Sequence, residues 1–149
     1  MRVIIATDGS SLSVGAAARA LAVLNQDAEF TLAVAYEPVE YDGTGFAGPT
    51  ISPEEFEELE KERRVEAETA LTATASALGL TGASHELVPG DPGPALCQLA
   101  EEQGADLIVM GTHHRGLLKR AVMGSVSEYV THHAHCPVLL VGPEAAGEG

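Results

Sequence analysis

The residues best suited to chemistry lie in one stretch, 111–127, which begins at Gly111 and ends in Gly124-Ser125-Val126-Ser127. Its glycines allow the backbone to approach a ligand closely. The stretch leads into a predicted helix, whose free N–H groups and dipole favour an anion. Three of the eight Lys and Arg residues, Arg115, Lys119 and Arg120, lie here, although the formal net charge is −14. The pattern predicts a bound phosphate group; in the alternative, these cations only cover a surface loop.

Other phosphate-binding and catalytic motifs do not fit the chain. Gly111 and Gly116 have the spacing of a Walker A loop, but Leu117 and Leu118 stand where that loop needs Lys and Ser or Thr. No G-x-G-x-x-G follows the first apolar run, and no G-x-S-x-G elbow occurs. Asp8 is the carboxylate that we place near the stretch, so we expect a binding protein rather than a fast enzyme.

Histidines raise the question of a metal site. His132 and His133 are adjacent on a predicted helix, so they cannot share one face. A closed site needs three or four ligands of fixed geometry. We therefore interpret the histidines as surface or loop residues, and we expect no site made by the protein alone. A magnesium ion held through the phosphates of a ligand fits better, because that metal keeps its waters.

Apolar runs and helical patterns alternate along the chain. The predicted strands are 3–6, 30–36, 85–88, 106–110 and 137–141. The predicted helices are 10–24, 53–78 after a capping box at Ser52, one that carries Leu96 and stops at Gly104, and one from a second capping box, Ser125-Val126-Ser127-Glu128, to about residue 134. In the first helix we expect a buried face made of Val14, Ala17, Ala18, Leu21 and Ala22.

This order of elements is that of an α/β fold with a doubly wound parallel sheet. Right-handed crossovers in a flavodoxin-like arrangement put the first strand beside the fourth. Such sheets bind ligands at the carboxyl ends of the strands, where the strand order reverses. Asp8 follows the first strand and Gly111 follows the fourth, so both are expected at that crevice.

The stretch 111–127 resembles the nucleotide-binding signature of the universal stress protein family, G-x2-G-x9-G-[ST]. The resemblance extends over nearly the whole chain, through Ala6-Thr7-Asp8-Gly9-Ser10, Gly90-Asp91-Pro92, residues 125–129 and Cys136-Pro137-Val138. It implies one domain, 1–142, built on a five-stranded parallel sheet, doubly wound and flavodoxin- or Rossmann-like, with strand order 3-2-1-4-5. Residues 143–149 are predicted to be a flexible tail.

The resemblance also implies a set of binding residues. Those at the first and second strands hold the adenosine, and those from the fourth strand onward surround the ribose and phosphates. The set is Ala6, Thr7, Asp8, Ala35, Met110, Gly111, His113, His114, Arg115, Gly116, Gly124, Ser125, Val126 and Ser127. His114 stands where the signature has its second glycine, and Gly116 lies two residues further on. An imidazole there either crowds the phosphates or donates to them.

The function implied is binding of an adenine nucleotide, ATP or else ADP or AMP, in a regulatory role in the stress response. One alternative is a nucleotide-free scaffold that works as a dimer. Another is a slow ATPase or autophosphorylating protein, in which Ser125 or Ser127 accepts a phosphoryl group. The apolar run Val138–Val141 at a predicted sheet edge and the family resemblance both favour a homodimer through that strand. In the alternative, the last helix or the tail covers the edge.

Composition weighs against several classes of partner. A net charge of −14 and a pI near 4.6 repel nucleic acid and anionic membranes. No apolar run approaches the ~20 residues that span a bilayer. Met1 leads straight into the first strand, and Cys97 and Cys136 form no CxxC or zinc pattern in the sequence. We therefore expect a cytoplasmic protein with reduced thiols.

Overall fold

The computed structural model describes residues 1–40, 51–112 and 124–142. Strands and helices alternate along it. The strands are β1 Arg2–Ala6, β2 Glu29–Tyr36, β3 Ser84–Pro89, β4 Leu107–Gly111 and β5 Val138–Val141. The helices are α1 Ser11–Leu21, α2 Pro53–Leu78, α3 Pro92–Gln103 and α4 Ser125–His133. The predicted tail and the predicted binding residues His113, His114, Arg115 and Gly116 lie outside the described residues.

The five strands form one parallel sheet in the order β3-β2-β1-β4-β5. The doubly wound fold and its strand order are therefore confirmed. Ile5 in the central strand β1 is level with Leu32 of β2 on one side and Val109 of β4 on the other. The carboxyl ends of β1 and β4 are adjacent, as expected for the point where the strand order reverses.

Side chains alternate along each strand and build a core on each face of the sheet. Val3 and Ile5 of β1 pack with α1 and α2, whereas Ile4 and Ala6 pack with α3 and α4. The strands are thus apolar on both faces, as in other parallel sheets covered by helices. No helix among the described residues is both long and apolar enough to cross a membrane.

The predicted ends of α2 and α3 are confirmed. Ser52 caps α2 by accepting from the N–H of Glu55 at 3.2 Å, and the Glu55 carboxylate accepts from the N–H of Ser52 at 2.7 Å. The C-cap glycines Gly79 and Gly104 adopt left-handed φ angles of 68° and 59°. These local signals are strong because each satisfies backbone groups that the helix leaves unpaired.

The predicted buried face of α1 is correct only in part, since Ala17 is buried and Leu21 packs partly buried against the core. Ser13, Ala16, Ala17 and Ala20 face the core, while Ala18 and Ala22 are exposed. The helix therefore turns a row of small side chains towards the sheet, where it lies mainly against β4 and β5. A search for apolar residues misses Ser13 on this face, because serine is polar. Inside the protein, its hydroxyl lies 2.8 Å from that of Thr7.

Candidate functional site

A cleft lies at the carboxyl ends of β1 and β4. Its volume is about 310 Å³, at the lower end of the range of small-molecule pockets. The described residues that line it come from all parts of the chain: Ala6, Thr7, Asp8, Ser13, Ala35, Pro92, Leu96, Met110, Gly111, Gly124, Ser125, Val126 and Ser127.

The cleft brings together ten of the predicted binding residues, which are all those that the structure describes. Their role as ligand contacts stays a prediction. Sequence reasoning missed Ser13, Pro92 and Leu96 as lining residues. The sequence predicted a helix that carries Leu96, and Pro92 was part of the family resemblance, but neither pattern tells which helix end reaches the crevice. One local pattern concerns Ser13: it lies three residues after the N-cap Ser10, whose side chain accepts from the N–H of Ser13.

One wall of the cleft is apolar. Pro92 and Leu96 of α3 and Met110 of β4 form it, together with Ala6 and Ala35 at the ends of β1 and β2. Leu96 and Met110 are 3% and 7% exposed, so they belong to the core as well as to the wall. Such a surface suits the flat, apolar faces of an organic ring.

The start of α4 forms another part of the cleft wall. The second predicted capping box is wrong, because Gly124 and not Ser125 is the N-cap, and no side chain caps the helix. The Ser127 hydroxyl instead donates to the Gly124 carbonyl at 3.0 Å. Among the described residues, no acceptor meets the backbone N–H groups of Ser125, Val126 and Ser127. These donors and the helix dipole make the wall suitable for an anion.

The start of α3 also borders the cleft but offers few donors. Pro92 and Pro94 lie in its first turn, and neither has a backbone N–H. Gly93, between them, lies against Tyr129 of α4 so closely that an added Cβ would come within 2.8 Å of the ring carbon Cδ1. The two helix starts that border the cleft therefore differ in chemistry, because that of α3 is apolar and that of α4 is rich in donors.

Asp8 lies in the turn after β1 and lines the cleft. Its Oδ1 accepts from the N–H of Ser10 at 2.9 Å, which fixes the direction of the carboxylate. A second cavity, of about 350 Å³, opens between the end of β2 and α2 and shares Asp8 and Ala35 with the cleft. In it, Arg63 donates to the carbonyl of Glu37 at 2.7 Å.

Metal ligands do not cluster in the described part of the chain. It contains no group of three or more His, Cys, Asp or Glu side chains that could hold a metal ion. Asp8 is the one carboxylate among the described residues that line the cleft.

Comparisons with known proteins agree with this geometry. Residues 1–142 match the sequence model of the universal stress protein family. A universal stress protein of Thermus aquaticus is 40% identical over 144 residues, which are 93% of this chain and 96% of that protein. The crystal structure of a universal stress protein in complex with cAMP is 26% identical, with a TM-score of 0.66 over 95% of this chain and 96% of the other. The structure of protein MJ0577 is 25% identical, with a TM-score of 0.73 over 97% of each chain.

Proposed function

The chain belongs to the universal stress protein family, and we propose that it is a regulatory protein that binds an adenine nucleotide, ATP foremost, in the cleft between β1 and β4. The observation that carries this proposal is the start of α4, a helix N-terminus without a side-chain cap that lines the same cleft as a set of apolar side chains. A ligand that is apolar at one end and anionic at the other satisfies both walls.

The anionic end of the ligand belongs at α4. Three backbone donors, those of residues 125–127, point from the helix start, and the exposed Ser125 hydroxyl adds a fourth donor. The described lining contains no Lys or Arg. Cationic side chains are nevertheless near in sequence, because Arg115, Lys119 and Arg120 lie between β4 and α4. The phosphates are thus held mainly by backbone groups, with those cations lowering the repulsion from an acidic protein.

The adenosine end belongs at the strands and α3. The ring stacks against Pro92, Leu96 and Met110, where apolar surface is already gathered. The Asp8 carboxylate only accepts hydrogen bonds, so it pairs with a hydroxyl or amino group and not with phosphate. The related protein that was crystallised with cAMP, an adenine nucleotide, supports this choice of base.

Magnesium, when it is bound, supplies positive charge to the phosphates. The described residues of the cleft hold one carboxylate, Asp8, and no cluster of metal ligands. This donor set fits a magnesium ion that keeps most of its waters and is held through the nucleotide. We propose the same cleft for a regulatory role and not for fast phosphoryl transfer, which needs more charged groups placed around the phosphates.

Calorimetric titration with ATP, ADP, AMP and cAMP, each with and without magnesium, tests the proposal. We expect micromolar dissociation constants, about −8 kcal/mol at 1 μM, and much weaker binding of GTP. No heat of binding and no thermal shift at millimolar nucleotide would contradict nucleotide binding and favour the nucleotide-free scaffold. Steady-state release of phosphate from ATP would instead favour the slow ATPase.

A matched pair of variants tests the phosphate end. Ser125→Asp places a carboxylate at the first position of α4, inside the cleft, where it stabilises the helix but repels phosphate. We expect nucleotide affinity to fall by about tenfold or more, or ~1.4 kcal/mol. Ser11→Asp is the control, because Ser11 is the exposed first residue of α1 and does not line the cleft. Equal affinities of the two variants would place the phosphates elsewhere.

A further inference from the structure

Two consecutive hydrogen bonds shape the turn after β1. The N–H of Gly9 donates to Thr7 Oγ1 at 3.0 Å, and the N–H of Ser10 donates to Asp8 Oδ1 at 2.9 Å. Each joins a side chain to the backbone two residues later. The N–H of Thr7 still donates to the Ala33 carbonyl of β2 at 3.0 Å, so side chains set the path only from residue 8 to residue 10. The direction of the Asp8 carboxylate depends on this path.

Ser13 closes the turn into a ring. Its N–H donates to Ser10 Oγ at 3.2 Å, and its own hydroxyl lies 2.8 Å from Thr7 Oγ1. Ser13 is 4% exposed, on the face of α1 that otherwise carries alanines. A buried hydroxyl that lost its partner would be costly, so this contact fixes α1 relative to the end of β1.

Helix α2 supports the turn from the other side. Thr74, which is fully buried, places its Oγ1 3.4 Å from Thr7 Oγ1 and donates to the carbonyl of Ala70 at 2.8 Å. Gly9 has a φ of +77°, and an added Cβ would lie 2.6 Å from Ala70 Cβ. The turn therefore lies directly against α2 and leaves no room for a side chain at position 9.

The positions of the hydroxyl protons decide which of these oxygen–oxygen contacts is a hydrogen bond. The hydroxyls of Thr7, Ser13 and Thr74 have one proton each, but they share four contacts, because Ser13 Oγ also lies 3.2 Å from the Ser10 carbonyl. In one arrangement Ser13 donates to Thr7, and Thr7 donates to Thr74. In the other, Thr7 donates to Ser13, and Ser13 donates to the Ser10 carbonyl. The short contact between Thr7 and Ser13 is bonded in both, whereas the long contact to Thr74 is bonded only in the first. A third arrangement, in which Ser13 donates to the Ser10 carbonyl and Thr7 donates to Thr74, is unfavourable because it leaves two oxygens 2.8 Å apart with no proton between them.

We infer that Ser13 is a positioning residue for Asp8, acting through the hydroxyl of Thr7. The inference rests on the proposed function only for its consequence, which is tighter binding of the nucleotide. A turn that is already ordered loses less conformational freedom when the ligand binds, so this effect raises affinity whether or not Ser13, which also lines the cleft, contacts the ligand.

Ser13→Ala tests this inference against the control Ser11→Ala. Both replace a serine of α1 by the best helix former, but only Ser13 contacts Thr7. In the nucleotide-free protein, we expect Ser13→Ala to speed amide hydrogen exchange at Gly9 and Ser10 by about two- to tenfold, the range of one net hydrogen bond. We expect nucleotide affinity to fall by a similar factor. Thr7→Val should have a larger effect and Thr7→Ser almost none, because serine keeps the hydroxyl.

Exchange at Ile5, in the central strand, serves as the internal reference. If Gly9 and Ile5 speed up together, Ser13 contributes only to global stability and the inference is wrong. Unchanged exchange at Gly9 in Ser13→Ala would equally overturn it. If the wild-type protein does not bind nucleotide, the proposed function fails, but the exchange at Gly9 still decides whether Ser13 positions the turn.

Discussion

At the scale of single residues, Asp8 combines a structural bond with an exposed charge. Its carboxylate is bonded to the N–H of Ser10, and it lines the cleft rather than the core. Asn can make the same bond to Ser10, because its amide oxygen is an acceptor, but it has no charge. Asp8→Asn removes the charge but keeps the bond that shapes the turn, whereas Asp8→Ala removes both. Comparing the two variants therefore distinguishes the effect of the charge from the effect of the turn.

We expect both Asp8 variants to remain folded and to bind nucleotide more weakly. Asp8→Asn loses only the charge-assisted part of the contact, about tenfold or less in affinity, while Asp8→Ala also loosens the turn and weakens binding further. Calorimetry measures the affinity, and thermal unfolding provides the control for folding. A folded Asp8→Ala variant with wild-type affinity would show that Asp8 does not contact the ligand.

The two cysteines are also set by their surroundings. Both are free thiols, packed partly buried beside the core that α3 and α4 build. Burial raises the pKa of the Cys97 thiol from its ordinary value of 9.0, and the nearby Cys136 raises it further. Burial likewise raises the pKa of Cys136, with Asp106 adding to the rise and a backbone hydrogen bond opposing it. The thiolate is the reactive form, so both residues should be slow nucleophiles at neutral pH.

The raised pKa values predict how stability depends on pH. Above pH 9.0, the ordinary pKa, an unfolded chain loses thiol protons that the folded chain keeps. The cysteines therefore contribute fully to the free energy of unfolding below this pH. The contribution is lost as the pH rises towards the pKa values that the two thiols have in the folded protein. Urea unfolding at pH 8 and 10 should show a smaller loss in the Cys97→Ala/Cys136→Ala variant than in the wild type. Equal losses would contradict the predicted pKa shifts.

At the scale of elements, the contacts between helices predict opposite effects for two glycines. Gly15 lies on the exposed side of α1, and an added Cβ there meets no atom within 4 Å. Gly93 lies in the first turn of α3, against the Tyr129 ring. This ring stacks on the His133 ring, with 4.0 Å between the ring centroids. The same added methyl group is therefore free at one position and crowded at the other.

Gly15→Ala should raise the free energy of unfolding by about 0.5–1 kcal/mol, because alanine is the better helix former. Gly93→Ala should lower it by about 1–3 kcal/mol, because Tyr129 has to move. Denaturant unfolding measures both values. Stabilisation by both substitutions would mean that α3 and α4 separate easily at this contact.

At the scale of the whole molecule, β5 forms one edge of the sheet and is apolar along its length. Ile108 donates to the Pro137 carbonyl and Thr112 to the Val141 carbonyl, both at 3.1 Å. Backbone groups alternate sides along a strand, so residues 138 and 140 direct theirs away from β4. An apolar edge with outward backbone groups favours pairing with another strand. We propose a two-fold homodimer through β5.

Sedimentation at low micromolar concentration should therefore give a species of twice the 15.4 kDa chain mass. Leu140→Pro removes an outward N–H and should give a folded monomer, since proline is tolerated on a strand edge. Leu139→Pro is the contrasting variant, because it removes an N–H directed at β4 and should lower the melting temperature more. A wild-type monomer, unchanged by nucleotide, would refute the dimer.

The sequence by itself determined the order of strands and helices, the caps of α2 and α3, and the place of Asp8 after β1. These features depend on local physics: side-chain periodicity, a capping box at Ser52 and glycines with left-handed φ act within a few residues. The strand order was implied by family resemblance, and the parallel sheet then required the ends of β1 and β4 to meet.

Only the tertiary structure decided which side chains meet at the cleft. The hydroxyl of Ser13 faces inward towards that of Thr7, which in turn lies 3.4 Å from that of Thr74, and no local pattern shows that α2 reaches this turn. Gly124 replaces Ser125 as the N-cap of α4, so the helix start is left open to the cleft. Pro92 and Leu96 become lining residues because α3 packs beside α4. Local periodicity says where a helix lies, but packing against other elements sets its rotation and what its end faces.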